Sequence, residues 1–126
     1  MDFILFASGR TETGNLLEQA MEGLHPGTRI EVCRTIGAFA RRLRQPMWVP
    51  TIIVILTMKR GELKEVLALR NLLMERRIVL VLPDSSPESL AGGLTLRPRY
   101  FCDPERGFED LLAVLAKMIG RNGGQC

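Results

Sequence analysis

The hydrophobic positions of the chain fall into five short runs that are separated by amphipathic stretches. Each run is four to six residues long, which is the usual length of a strand. Three of the runs have no polar interruption, as in strands that are buried on both faces of a sheet. The run at 29–34 alternates apolar and polar residues instead, which predicts a strand nearer to a sheet edge. The five predicted strands are residues 3–7, 29–34, 52–56, 78–82 and 99–102.

Between the strands, apolar residues recur at the spacing of an α-helix. A loop at 8–15, rich in Gly, Ser and Thr, leads into the first helix, and residues 62–76 form one helix. The fourth helix has Pro87 in its first turn and a serine as its cap, but Gly92 and Gly93 interrupt it, each costing roughly 1 kcal/mol relative to Ala. The predicted inward positions, helix by helix, are Leu16, Leu17, Ala20, Met21 and Leu24; Ile36, Phe39, Ala40 and Leu43; Leu63, Val66, Leu67 and Leu73; Leu90, Ala91, Leu94 and Leu96; and Phe108, Leu111, Leu112, Leu115, Met118 and Ile119.

This alternation predicts a single α/β domain. Five strands that are each followed by a helix give a parallel sheet between two helical layers, a three-layer αβα sandwich. Right-handed crossovers favour the flavodoxin-like strand order 2-1-3-4-5, with the β-branched run at 52–56 in the centre. We expect the domain to cover residues 1–121 and residues 122–126 to form a flexible tail. Ligands of such folds bind at the carboxyl ends of the strands, where the loops begin at Ser8, Thr57, Pro83 and Asp103.

The composition is that of an ordinary globular protein. The chain has 126 residues, of which 46% are hydrophobic and 25% are charged. No apolar run approaches the roughly 20 residues of a membrane-spanning helix, and the N-terminus lacks the pattern of an export signal. Cys33, Cys102 and Cys126 are far apart in the sequence, which fits free thiols in a reducing compartment. We therefore expect a cytoplasmic protein that does not associate with membranes.

The chain offers little catalytic chemistry. Its single histidine, His25, lies in a predicted turn and has no matching nucleophile, so neither a His-based metal site nor a Ser-His or Cys-His pair is expected. The net charge of +3 is mild, and the cluster of Arg41, Arg42 and Arg44 is interpreted as a solvated helix face, because no motif that reads bases accompanies it. We expect no enzyme activity and no cofactor, and nucleic acid is not favoured as a partner.

The sequence Tyr-Phe-Cys-Asp-Pro at 100–104 resembles a motif of the receiver domains of bacterial two-component response regulators. That motif contains an aromatic residue, two apolar residues, a lysine and a proline. The resemblance extends over residues 3–120 through the lengths of the elements, and residues 108–115 look like the last helix of a receiver. It implies that Tyr100 takes the place of the switch aromatic and Pro104 that of a proline often preceded by a cis bond.

The catalytic residues of receivers are absent from this chain. Receivers hold magnesium with an acidic pair after the first strand, accept phosphate on an aspartate at the end of the third, and have a hydroxyl residue after the fourth and a lysine after the fifth. The resemblance aligns the acidic pair with Ser8 and Gly9, and the phosphate acceptor with Leu56 or Thr57. It aligns the hydroxyl residue with Leu82, with Ser85 somewhat later, and the lysine with Asp103. Magnesium prefers carboxylate oxygens, and phosphoryl transfer needs both the metal and a cation. The resemblance therefore implies a pseudo-receiver without phosphorylation chemistry.

Several loops near these positions carry basic residues where a receiver has acidic ones. Arg10, Lys59 and Arg60 lie in the loops where a receiver has acids, and Asp84 and Asp103 lie in the loops opposite. Two interpretations remain open. Cross-loop ion pairs could hold the former site in one state, or the residues could form an ordinary solvated rim, where such pairs contribute about 0–1 kcal/mol.

A flavodoxin-like binding loop is the alternative function. Residues 11–15 resemble the flavodoxin phosphate loop, in which hydroxyls and backbone N–H groups at a helix N-terminus hold the phosphate of FMN. However, the motif begins about three residues late, Leu16 replaces a hydroxyl residue, and no aromatic follows the third or fourth strand to sandwich a flavin. The residues of such an FMN or other anion site are Arg10, Thr11, Thr13, Gly14 and Asn15.

The expected function is that of a non-catalytic, phosphorylation-independent signalling or protein-interaction domain. In receivers, the face formed by the fourth helix, the fifth strand and the last helix commonly binds a partner or forms a dimer. The resemblance therefore implies a protein partner, or a homodimer, that contacts residues 94–100 and the exposed side of the last helix.

Overall fold

A computed structural model of the protein describes residues 2–24, 26–103 and 108–123. Within these ranges, strands and helices alternate along the chain as the hydrophobic pattern predicts. The strands are β1 (Asp2–Ala7), β2 (Arg29–Cys33), β3 (Thr51–Leu56), β4 (Arg77–Val81) and β5 (Tyr100–Cys102). The helices are α1 (Glu12–Glu22), α2 (Ile36–Leu43), α3 (Arg60–Leu67), α4 (Arg70–Leu73), α5 (Pro87–Leu94) and α6 (Glu109–Gly123).

The strands form one parallel sheet in the order β2-β1-β3-β4-β5, which confirms the predicted fold class and strand order. β1 lies between β2 and β3, with Phe3 opposite both Ile30 and Ile52. β3 is the central strand, and each of its residues from Ile52 to Leu56 is at most 1% exposed. β2 lies at one edge, as its alternating pattern predicts, and β5 lies at the other.

The core consists of two apolar clusters, one on each face of the sheet. Because successive side chains of a strand point to opposite faces, Phe3 and Leu5 join the cluster under α1 and α6, whereas Ile4 and Phe6 join the cluster under the other helices. The ring of Phe6 stacks on Phe39 of α2, with the centroids 5.0 Å apart. The buried residues of α6 are among those that its periodicity predicts: Leu111, Leu115, Met118 and Ile119.

Helix α1 begins at Glu12, whereas the loop predicted at 8–15 placed its start four residues later. Thr11 is its N-cap, because the Thr11 hydroxyl accepts a hydrogen bond from the Gly14 N–H at 3.0 Å. Leu17 and Met21 face the sheet as predicted, but the prediction for Leu16 was wrong, since its side chain is 55% exposed. Successive helical residues lie about 100° apart, so a helix that buries Leu17 turns Leu16 outward.

The single helix predicted at 62–76 is two helices, α3 and α4, separated by a turn. In that turn the Leu69 N–H donates to the Val66 carbonyl, three residues back, at 2.9 Å. This tighter bond ends the regular α-helical pattern of hydrogen bonds at Leu67. Leu63, Val66 and Leu73 are buried as predicted, so the turn leaves the inward stripe in place.

Helix α5 continues through Gly92 and Gly93, and the predicted interruption was wrong. Its start matches the sequence, because the Ser86 hydroxyl accepts a hydrogen bond from the Ser89 N–H at 3.2 Å and Pro87 occupies the first turn. Neither glycine has a positive φ angle. Packing against the sheet therefore outweighs the low helix propensity of two glycines.

The side of α5 that faces the sheet carries small residues. Ser89 and Gly93 are buried there, and Leu96 beyond the helix is buried as predicted. A larger residue at 93 would have to displace the side chains of Leu80 and Leu82, because the helix lies directly on them. On α5 the core prediction was wrong for three residues, which are exposed: Leu90, Ala91 and Leu94.

The last helix runs to Gly123, three residues beyond Gly120, where the sequence places its end. It therefore enters the stretch that was expected to be a flexible tail. None of the helices in the described ranges has the length and apolar character that crossing a membrane requires. The expectations for His25, Pro104 and Cys126 lie outside the described residues.

Candidate functional site

The carboxyl ends of β3, β4 and β5 border a small cavity at the position where the receiver resemblance implies the phosphorylation site. Its volume is about 200 Å³, below the roughly 300–1,000 Å³ of most small-molecule sites. Among the described residues, Asp103 is the one ionisable side chain in its lining. The lining residues are Thr13, Leu56, Thr57, Met58, Val81, Pro83, Asp103 and Phe108.

The end of β3 carries a hydroxyl that is already bound. Thr57 is only 1% exposed, and its Oγ1 donates to the carbonyl of Val81 at 2.6 Å. Its backbone N–H donates to the same carbonyl at 3.1 Å. Leu56, the other residue aligned with the phosphate acceptor, is buried in the core. The hydroxyl of Thr57 therefore extends the pairing of β3 with β4, and no carboxylate occupies this position.

The loop after β1 is held by an arginine that the sequence analysis did not single out. The Gly9 N–H donates to the Arg34 carbonyl at 2.9 Å, and Nη1 of Arg34 donates to the Gly9 carbonyl at 3.1 Å. Nη2 of Arg34 also binds Glu18 of α1 at 3.1 Å. Gly9 has a φ of +67°, which its lack of a side chain permits. Ser8 and Gly9, which the receiver resemblance aligns with an acidic pair, thus lie in a loop tied to β2 and α1.

One of the suggested cross-loop ion pairs is formed, between Arg60 and Asp84. Nε of Arg60 donates to Oδ2 of Asp84 at 2.7 Å, and Nη1 of Arg60 lies 3.8 Å from Glu88. Oδ1 of Asp84 accepts from the Ser86 N–H at 3.0 Å. Hydrogen bonds from Ser86, Arg60 and Ser89 hold the pKa of Asp84 well below its ordinary range, and Asp84 in turn raises the pKa of Arg60. This pair joins the start of α3 to the loop after β4.

The other charged candidates do not join that pair. Arg10 and Lys59 are exposed, and neither forms an ion pair with any residue in the described ranges. Asp103 is partly buried at the rim of the 200 Å³ cavity. Arg60 and Asp84 therefore form a specific contact, whereas Arg10 and Lys59 belong to a solvated rim. A cross-loop ion pair and a solvated rim are thus both present, at different residues.

The residues of the possible anion loop lie mostly in the first turn of α1. The Thr11 hydroxyl already accepts the Gly14 N–H, so that N–H group is engaged within the helix. Gly14 is also packed against β1, because a Cβ atom on it would lie 3.3 Å from Cβ of Ala7. Thr13 lines the 200 Å³ cavity, whereas Asn15 is exposed. The five candidate residues therefore do not converge on one cavity.

Aromatic side chains do not form a flavin sandwich at this edge of the described structure. Phe108 lines the 200 Å³ cavity. Trp48, however, lies in the loop before β3, at the amino ends of the strands, and is 89% exposed. Tyr100 packs against the core cluster under α1 and α6. The described residues also contain no group of three or more His, Cys, Asp or Glu side chains that could hold a metal ion.

An exposed apolar surface lies beside this edge, on the α5 side of the sheet. Leu90 and Leu94 are one turn apart on α5, and Phe101 of β5 lies opposite Leu80 in the strand register. Leu90 and Phe101 line one shallow cavity of about 270 Å³. We call Leu90, Leu94 and Phe101 the α5–β5 surface. The sequence reveals Phe101 only as one apolar residue of a short strand, because which face it occupies depends on its pairing with β4.

No protein-family model, curated protein or solved structure gives a significant match to the chain. The similarity to receivers therefore rests on the strand order, the lengths of the elements and the residues at 100–104. We call the loops and residues at the carboxyl ends of the strands the carboxyl edge. The chemistry that this edge can support follows from its geometry. In the described residues it offers a buried hydroxyl engaged with a carbonyl, one rim carboxylate and loops tied together by Arg34 and Arg60.

Proposed function

We propose that this chain is a receiver-like protein-interaction domain that works without phosphorylation and recognises a second copy of itself through the α5–β5 surface. The observation that carries the proposal is the exposure of Leu90, Leu94 and Phe101, at 38%, 47% and 40%. Fully burying a side chain of this kind is favourable by about 1.5–3 kcal/mol. Three such side chains on adjoining elements are typical of surfaces that bind a protein.

The packing of α5 explains why its leucines are exposed. The helix presents Ser89 and Gly93 to the sheet, so its large side chains do not take part in the core of the domain. Leu90 and Leu94 consequently project away from the core cluster that α5 covers. A helix whose large apolar residues face outward gains stability when a second surface covers them.

The carboxyl edge supports the non-catalytic part of the proposal. Receivers respond to a phosphorylated aspartate, and here the corresponding positions are a core leucine and a threonine bound to Val81. Arg34 holds the loop after β1, and the Arg60–Asp84 pair holds the loop after β4. These contacts favour one arrangement of the loops without any added group.

A second copy is the partner that the sheet edge fits. β5 has three residues and is the last strand of the sheet, beside β4, so the α5–β5 surface lies at the border of the sheet. Edge strands are places where another chain can bind. A two-fold axis beside β5 would bring the same patch of both copies together, as the isologous interface of a dimer requires.

Sedimentation equilibrium over a range of protein concentrations tests this proposal. We expect the average mass of the wild-type protein to rise towards that of a dimer, and the variants Leu90→Glu and Phe101→Glu to remain monomeric, because burying an unpaired carboxylate opposes association. Leu16→Glu is the matched control, since Leu16 is 55% exposed on α1, on the other face of the sheet.

Circular dichroism of each variant establishes that it is folded. A wild-type protein that stays monomeric at every concentration would contradict the proposal. An equal loss of association in the Leu16→Glu control would contradict the assignment of the interface.

A further inference from the structure

A cleft rich in arginine lies at the amino ends of β4 and β5, whereas the 200 Å³ cavity lies at the carboxyl ends of the strands. Its volume is about 480 Å³, within the range of small-molecule sites. Four guanidinium groups and one carboxylate belong to its lining. These charged residues are Arg70, Arg76, Arg97, Arg99 and Glu75.

Three of the arginines have side chains that are available to a ligand. Arg70, Arg97 and Arg99 are exposed, and none of them has a side-chain hydrogen bond or ion pair within the described residues. Arg76 is fixed instead, because its Nη2 donates to the Leu43 carbonyl at 3.3 Å. Planar guanidinium groups bind phosphate oxygens in pairs of hydrogen bonds, so the cleft favours a ligand with more than one phosphate.

The backbone around the cleft carries side chains where glycine is favoured. Glu75 and Arg97 have φ angles of +64° and +52°, in the left-handed region, and they are the only two non-glycine residues of the described structure with a positive φ. Arg97 closes the end of α5, with its N–H donating to the Leu94 carbonyl at 3.0 Å. Glycine is the usual residue at such helix ends, since other residues are strained there. The arginine therefore opposes local backbone preference, and its side chain forms no ion pair with the part of the chain that the structure describes.

An apolar side chain lies next to the arginines. Met74 lines the cleft and is 63% exposed, and the buried side chain of Leu96 also contributes to the lining. A thioether beside free guanidinium groups provides contacts for a flat, weakly polar ring. A nucleotide combines such a ring with clustered phosphates.

We propose that this cleft binds a nucleotide, with its phosphates on Arg70, Arg97 and Arg99 and its base against Met74. This site goes beyond the proposed function, because it uses none of the three residues of the α5–β5 surface. The cleft does include Thr95 and Leu96, which directly follow α5, so a bound nucleotide would contact the segment that holds the end of that helix.

Isothermal titration calorimetry with ATP in the absence of divalent cations tests the assignment. We expect saturable binding by the wild-type protein and about tenfold weaker binding for Arg97→Gly and for Arg99→Ala, since each loses a charge-assisted hydrogen bond. Arg97→Gly is chosen because glycine suits the φ of +52°, so this variant is expected to be folded and at least as thermostable as wild type. Arg44→Ala, an exposed arginine at the end of α2, is the control and is expected to bind as wild type does.

Inorganic tripolyphosphate separates the contribution of the base from that of the charge. We expect ATP to bind more tightly than tripolyphosphate, although ATP carries less charge, and Met74→Ala to reduce this difference. No binding of ATP by wild type, or unchanged binding by Arg97→Gly and Arg99→Ala, would overturn the site. Equal or tighter binding of tripolyphosphate would overturn the assignment of a nucleotide. Sedimentation of the same variants is expected to be unchanged, so failure of this site and failure of the α5–β5 interface are distinguishable.

Discussion

A Cβ atom placed on Gly93 would lie 2.7 Å from Cδ2 of Leu82, closer than non-bonded carbon atoms approach. The same atom would lie 2.9 Å from Cδ2 of Leu80. Helix α5 therefore lies so close to the sheet that any larger residue at this position would have to displace the side chains of Leu80 and Leu82. This close packing accounts for the outward direction of Leu90 and Leu94, and thus for the α5–β5 surface.

Replacing Gly93 with Ala is expected to destabilise the domain by about 1–3 kcal/mol, because the added methyl group must displace two buried leucines. Gly92→Ala is the matched control, since its Cβ would meet only Cδ1 of Leu67, at 3.1 Å, and alanine favours the helix by up to about 1 kcal/mol. Urea denaturation gives the free energy of unfolding of each variant. Equal stability of Gly93→Ala and wild type would show that α5 does not approach the sheet this closely.

Helix α5 is expected to exchange its amide hydrogens far faster than β3. Its buried side consists of Ser89 and Gly93, so it contributes little apolar burial, whereas all of Ile52 to Leu56 is at most 1% exposed. Native-state hydrogen exchange at a protein concentration that keeps the chain monomeric measures the difference. Protection of residues 87–94 equal to that of residues 52–56 would refute it.

The sequence predicts the fold because the pattern of apolar and polar residues within each strand indicates how deeply that strand is buried. The apolar run at 52–56 is a central strand and the alternating run at 29–34 is an edge strand, both as predicted. The orientation of α5 could not be predicted in the same way. A pattern of Leu90 and Leu94 indicates an apolar side, but whether that side or the one with Gly93 faces the sheet depends on the space above Leu80 and Leu82.

The candidate site shows the same limit. The absence of carboxylates at Ser8, Gly9 and Leu56, which the receiver resemblance aligns with acidic residues, can be read from the sequence, because it needs only the alignment of elements. The contact of Arg34 with Gly9 joins residues 25 positions apart, and it exists because β2 lies beside β1. The arginine cleft was likewise missed, since Arg70 is brought next to Arg97 and Arg99 only by the packing of two segments that are distant in the sequence.

The contribution of Asp84 to stability is expected to disappear in acid. Its hydrogen bonds from Ser86 and Arg60 lower its pKa in the folded protein below the ordinary value of 3.8, so the folded state favours the carboxylate more than the unfolded state does. The stabilisation is therefore complete above the unfolded pKa, and it is lost as the pH falls below 3.8 and through the folded pKa.

Comparing wild type with Asp84→Asn by urea denaturation checks this sign. The difference in the free energy of unfolding is expected to stay constant from about pH 7 to about pH 5 and to shrink at lower pH. Glu88→Gln is the control, because Glu88 is 87% exposed and lies 3.8 Å from Arg60, so a smaller effect is expected. A difference that persists unchanged in strong acid would rule out the ionised Asp84 as its cause.

Beryllofluoride with magnesium is expected to leave the protein unchanged. This mimic of a phosphoryl group needs a carboxylate acceptor and a magnesium site, and Thr57 and Leu56 provide neither. Tryptophan fluorescence of Trp48 and intact mass after treatment with acetyl phosphate are the measurements. A saturable, magnesium-dependent change in either would contradict the non-catalytic account.

The most direct test of the account is the dependence of the amide NMR spectrum on protein concentration. We expect a rise in concentration to shift or broaden the signals of α5 and β5, centred on Leu90, Leu94 and Phe101, while those around Thr57 and Arg34 stay in place. The Phe101→Glu variant is expected to give one spectrum at all concentrations. Wild-type spectra that do not depend on concentration, or shifts centred on another face of the sheet, would contradict it.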